Sequence, residues 1–229
     1  MGPEALEAIL KLNRIDERHA RAGDTLVVPD SLPAPPGLAP LPDRLAGLDS
    51  LPRLIFVSLR VQAFGAYEFG NLVRWGPTST GRRHSPTPTG LFSTNWKSRE
   101  IISSEDSCWV LKWFFNIMAD RGISIHQFDL PGYPASHACV RLLEQDAWWL
   151  YGWAQQWILA PDGVHALAYG TPVVIFGTYT WGKRGPWTRL PEDPDAARVS
   201  SGVADSAMAP YLGLVLQRAR ARDSVERSR

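Results

Sequence analysis

Apolar residues recur at helical spacing early in the chain: Leu6, Ile9 and Leu10, with Asn13, share one face of residues 4–13, which predicts an amphipathic helix. Residues 21–29 (RAGDTLVVP) then predict a turn followed by a short apolar strand that proline ends. Prolines 33, 35, 36, 40 and 42 follow in a run. Proline removes a backbone donor and fixes φ, so residues 31–52 are expected to be an extended linker. From residue 53 (RLIFVSLRVQAF) β-branched and aromatic residues dominate, and alternation returns through Tyr67, Phe69 and residues 72–75. Gly70 and Asn71 between these runs predict a β-hairpin. Residues 108–118 (CWVLKWFFNIM) are almost uninterruptedly apolar, the pattern of a strand buried on both faces, and residues 122–126 (GISIH) read as another short strand. Residues 141–157 predict a helix with Trp149, Trp153 and Trp157 along one side, an aromatic stripe expected to pack in the core. Residues 170–176 (GTPVVIF) read as a closing strand, residues 206–222 as a helix, and the last eight residues as a frayed tail. The pattern implies four regions: 1–30, the linker 31–52, a mostly-β main domain over 53–177, and an extension over 178–229.

Composition narrows the function class. With 24 basic and 23 acidic side chains the formal charge is +1, and no basic stripe stands out, so nucleic acid is a poor partner. Hydrophobic residues make up 45% of the 229 residues, enough to build a core and argue against disorder. No apolar run approaches the roughly 18–20 residues that span a bilayer, so no transmembrane segment is expected. No secretory signal is visible at the start.

The chemistry concentrates in one place. Of two cysteines and five histidines, Cys139, His126 and His137 fall within fourteen residues. A thiol beside an imidazole is an activated nucleophile, because the thiolate is the reactive form and histidine generates it. A zinc site of His126, His137 and Cys139 fits less well: His137 and Cys139 are two apart, and Asp129 is the one nearby carboxylate to support such a site. A metal site is therefore not the expectation. Cys108, inside the apolar run, reads as inert, and His84 as a surface residue.

Residues 136–141 (SHACVR), preceded by His126, resemble the motif of the L,D-transpeptidase (YkuD-type) catalytic domain: a histidine, a variable loop, then Ser/Thr-His-Gly-Cys-apolar-Arg/Asn. The Val57-Ser58-Leu59 strand, residues 79–81 (STG) followed by 86–92 (PTPTGLF), and residues 170–175 (GTPVVI) agree in the same order. The resemblance implies a β-rich sandwich or open barrel with one or two helices, beside a small α/β appendage. It implies Cys139 as nucleophile toward a peptidoglycan stem peptide, His126 as general base, and the amides of Ala138 and Cys139 as oxyanion donors. His137, Ser136 and Arg141 would shape the pocket, support the loop and meet the substrate carboxylate. The implied product is a 3→3 cross-link or an attached protein amine, made with no metal or organic cofactor, outside the cytoplasm, in the periplasm or cell wall, with covalent inactivation by carbapenems. One position departs: Ala138 stands where the family has glycine, and a positive φ there would strain it. Residues 4–29 also resemble the second half of a LysM module, which would bind glycan; a packing segment is the alternative. Two further readings stay open, an amidase or L,D-carboxypeptidase on the same fold and a non-catalytic wall-binding protein.

Overall fold

In a computed structural model the chain is described over residues 2–31 and 37–229. Its elements run α1 (Pro3–Asn13), β1 (Leu54–Ser58), β2 (Ala63–Glu68), β3 (Asn71–Ser79), β4 (Gly90–Ser93), β5 (Lys97–Ile102), β6 (Val110–Met118), β7 (Ile123–Gln127), β8 (Val140–Leu142), α2 (Glu144–Trp153), β9 (Ile158–Leu159), β10 (Ala166–Ala168), β11 (Pro172–Phe176), α3 (Ser201–Met208) and α4 (Leu212–Arg227). Nine strands form one sheet in the order β4-β11-β1-β2-β3-β8-β7-β6-β5, while β9 and β10 pair separately. Two neighbours are parallel, β1 with β11 and β7 with β8; the other pairs in the sheet are antiparallel. The fold is mostly β, a curled half-barrel with helices against it, as the sequence led us to expect.

Within the sheet, strands β11, β1 and β2 are buried from both sides, which explains their continuous apolar runs. Along β1, Ile55 and Val57 enter one core with Phe115, Ile125, Val140 and Leu150 of α2. The alternate residues Leu54 and Phe56 enter a second core with Leu45, Leu48, Met208 and Val215. Leu41, Leu45, Leu48 and Leu51 are all buried in that second core. Residues 37–52 of the expected linker are therefore packed chain, because a leucine every three or four residues outweighs the prolines; residues 32–36 lie outside the described residues.

Several elements differ from their sequence pattern. The strand expected before Pro29 does not form: Val27 instead bonds through both backbone groups to the Asn13 side chain, at 2.8 and 2.7 Å. The first apolar run is split into β1 and β2 by a turn in which Gln62 takes φ +46°. Cys108 is exposed, its N–H bonded to Asp106 Oδ1 in an Asx turn, so β6 begins only at Val110. α2 stops at Trp153, because Thr94, Thr171 and Gln155 trade hydrogen bonds that pull the chain away. Trp149 and Trp153 stack on each other, whereas Trp157 lies beyond the helix against Tyr169. The C-terminal helix is two helices, and α4 continues to Arg227 where fraying was expected. Arg222 ties it to the Gln156 and Tyr169 carbonyls and to Glu226.

The N-terminal segment is pinned to the main domain. Arg14, 1% exposed, donates from Nε to the Val61 carbonyl at 2.9 Å and lies between the Trp75 and Trp187 rings. Asp16 then exchanges bonds with both backbone groups of Leu130, and Arg18 pairs with Asp129. These contacts fix the chain leaving β7, beside the candidate site.

Candidate active site

Strand alternation builds the site. On β7, Ile123 and Ile125 turn into the core, which sends Ser124 and His126 to the opposite face. On β8 and the residue before it, Val140 and Leu142 turn inward, leaving Cys139 and Arg141 on that same opposite face. The parallel register, Ile125 beside Val140 and His126 beside Arg141, brings the two polar sets together. His126, Ser136, His137, Cys139 and Arg141 all line one cleft of about 260 Å³. Ala138 sits beside them with its methyl group in the core. Exposed His84 and Cys108 take no part in this lining.

His126 is 3% exposed and stacks along Phe114, with the Phe128 ring edge against it. Its Nδ1 lies 2.9 Å from the Gln127 carbonyl oxygen. A carbonyl only accepts, so Nδ1 carries the hydrogen and Nε2 keeps its lone pair. Burial drives the imidazole pKa from its ordinary 6.5 to about 4. The Gln127 bond works the other way, and the Arg141 charge adds to the lowering. At neutral pH the ring is therefore an uncharged, single-tautomer base.

The Cys139 thiol is half-buried and lies 3.3 Å from Ser124 Oγ. Sequence reasoning missed Ser124, although its alternation with His126 in residues 123–126 (ISIH) was the available signal. Ser136 donates from Oγ to the Cys139 carbonyl at 2.5 Å, tying the loop that carries the thiol to itself. The His137 ring lies tilted against Trp109, and its Nδ1 is buried without a partner among the described residues. Arg141 is held over Phe128 with one Nη1 bond, at 3.5 Å, to the Asp129 carbonyl; desolvation lowers its pKa, and the Asp129 and Cys139 charges oppose that. Ala138 adopts φ +83°, the left-handed conformation that its glycine counterpart takes without cost. The strain expected from the sequence is thus present at the residue before the thiol.

The loop that carries Cys139 rests on the chain after β3. Ser136 N–H bonds to the Thr80 carbonyl and Arg82 N–H to the Ser136 carbonyl, while Gln62 fixes Thr80 from below through both amide atoms. Thr87 Oγ1 joins Gly81 N–H to the Ala138 carbonyl. Among the described residues, no group of three or more His, Cys, Asp or Glu side chains is placed to hold a metal ion.

A base with one free nitrogen and a thiol in one desolvated cleft can form and break an acyl–sulfur bond. Comparison with known proteins gives the chain a family. The model of the YkuD L,D-transpeptidase catalytic domain matches residues 52–175, more than half of the chain. Among solved structures, an L,D-transpeptidase from Stackebrandtia nassauensis is 22% identical, with 56% of each chain covered and a TM-score of 0.45. One from Mycobacterium tuberculosis H37Rv is 23% identical over 55% of this chain and 58% of that one, with a TM-score of 0.43. One from Xylanimonas cellulosilytica is 24% identical over 54% and 60%, also at 0.43. The chain thus spans little more than half the length of these proteins. No curated protein matches it. On the match of residues 52–175, the chain belongs to the YkuD L,D-transpeptidase catalytic-domain family.

Proposed function

We propose that this protein is a cysteine acyltransferase acting on peptidoglycan stem peptides, outside the cytoplasm. The single observation that carries this reading is the cleft itself: Cys139 and a neutral His126, its Nδ1 committed to Gln127, lie on one face of adjacent parallel strands.

The thiol proton passes to His126 Nε2 as Cys139 Sγ attacks the donor carbonyl, forming an S–C bond and an oxyanion. The amides of Ala138 and Cys139 receive that oxyanion. As the carbonyl re-forms, the C–N bond breaks, and the leaving amine takes the proton from Nε2. A thioester remains on Cys139. An acceptor amine then attacks it and gives its proton to Nε2; the departing thiolate recovers that proton. No metal or organic cofactor enters either half. Arg141 and His137 meet the donor peptide, the guanidinium pairing with a carboxylate, and Ser136 holds the loop.

Incubation with a disaccharide-tetrapeptide and mass spectrometry of the products tests the reading. The expected result is loss of the terminal residue with formation of a cross-linked dimer. Tripeptide without dimer would point to the hydrolase on the same fold. Intact substrate, with no acyl-enzyme trapped, would contradict both.

A further inference from the structure

We infer that Thr87 is a positioning residue that aims the Cys139 amide at the oxyanion, an inference that rests on the acyltransferase reading above. Thr87 is 4% exposed and lies under the residue before the nucleophile rather than in the cleft lining. Its Oγ1 accepts the Gly81 N–H at 2.7 Å and donates to the Ala138 carbonyl oxygen at 2.8 Å. A hydroxyl has one hydrogen, and because Gly81 supplies its own, that hydrogen is directed at Ala138.

The consequence follows from peptide geometry. In a planar trans peptide the C=O of one residue and the N–H of the next point in opposite directions. Anchoring the Ala138 carbonyl on Thr87 therefore turns the Cys139 N–H to the other side. That N–H donates to no described residue. Ala138 at φ +83° is held out of its preferred conformation, so the peptide needs such an anchor to keep its orientation.

The anchor is itself fixed. At Gly81 a Cβ would meet the Ser85 carbonyl oxygen at 2.2 Å and Thr87 N at 2.4 Å, so the loop closes this tightly only on glycine. Gly81 also bridges to Ser136 in parallel fashion, next to the Arg82 and Thr80 bonds to Ser136. One threonine hydroxyl thus connects a closed, rigid loop to the strained peptide beside the thiol.

The experiment compares two reactions of the same sulfur in a Cys108→Ser background, since exposed Cys108 would otherwise react as well. Alkylation by iodoacetamide displaces iodide and develops no oxyanion. Acylation by a carbapenem passes through one. Thr87→Val is expected to keep the alkylation rate within about twofold and to lose about 10- to 100-fold in acylation, somewhat less than removal of an oxyanion donor itself. Thr87→Ser, which keeps the hydroxyl, is expected to recover acylation to within a few-fold. Should Val disturb folding, read from its melting curve, Thr87→Ala is the second hydroxyl-free variant. Wild-type acylation in both hydroxyl-free variants, equal loss of both reactions, or failure of Ser to rescue would each overturn the role of Thr87. Absence of any acylation in the parent protein would overturn the acyltransferase reading, and this inference with it.

Discussion

Acidification titrates His126, and its burial fixes where the effect falls. The ring is 3% exposed, its Nδ1 donates to Gln127, and its pKa drops from 6.5 to about 4. Protonation of Nε2 removes the base, so the acid limb of kcat/KM, which reports the free enzyme, is expected near pH 4. At pH 5.5 an imidazole with a pKa of about 4 is roughly 97% neutral, whereas an ordinary one is roughly 9% neutral, about a tenfold difference in competent protein. The rate of carbapenem acylation, followed by mass between pH 4 and 8, reads this directly. The same shift acts on stability. Well above pH 6.5 the ring is neutral in both states, and this contribution is fully present. As pH falls toward about 4, the unfolded chain binds a proton that the folded one refuses, and about 3 kcal/mol is lost. Urea titrations at several pH values should show this slope in the wild type and a smaller one in His126→Gln. An acid limb near 6.5, or an unchanged slope in the variant, would refute the assignment of a buried neutral base.

Other substitutions test the frame around the site. Ala138→Gly removes about 1–2 kcal/mol of left-handed strain. It also sacrifices a buried methyl worth about 0.8 and adds about 0.4–1 of unfolded-state entropy. Stability by urea denaturation should therefore stay within about 1 kcal/mol, with acylation retained. Arg14→Ala should cost about 3 kcal/mol or more, since it leaves a cavity between Trp75 and Trp187 and strands the Val61 carbonyl. Arg14→Met, which fills the space without a buried charge, should cost clearly less in the same assay. Asp146, fully buried and bonded to Arg74 Nε at 2.8 Å, should cost about 3 kcal/mol as Ala; a value below 1 would show that the pair does not hold α2 against β3.

The sequence exposed the site more fully than its supports. His126, Ser136, His137, Cys139 and Arg141 lie on a compact motif; strand alternation carries His126, Cys139 and Arg141 to one face, and the loop before β8 brings Ser136 and His137 beside them. Ser124 showed itself only as the alternate partner of His126, and Thr87 not at all, because a hydroxyl under a carbonyl 51 residues away leaves no periodic trace. The β core was readable because strands buried on both faces are apolar throughout. Hydrogen bonds between distant residues overrode the local patterns elsewhere. Asn13 replaces a strand partner for Val27, and Thr94 and Thr171 end α2 before Trp157. The charge-rich residues 222–229 read as a frayed tail by composition, yet α4 runs on to Arg227, with Arg222 bonded to two carbonyls.

Whether Cys139 becomes acylated is the question on which everything else depends. Intact-protein mass spectrometry after incubation with a carbapenem answers it, run on wild type and Cys139→Ser. One drug-mass adduct per wild-type chain, mapped to Cys139 and absent from the variant, is the expected result. An unmodified wild type, or an adduct that persists in Cys139→Ser, would contradict the cysteine nucleophile.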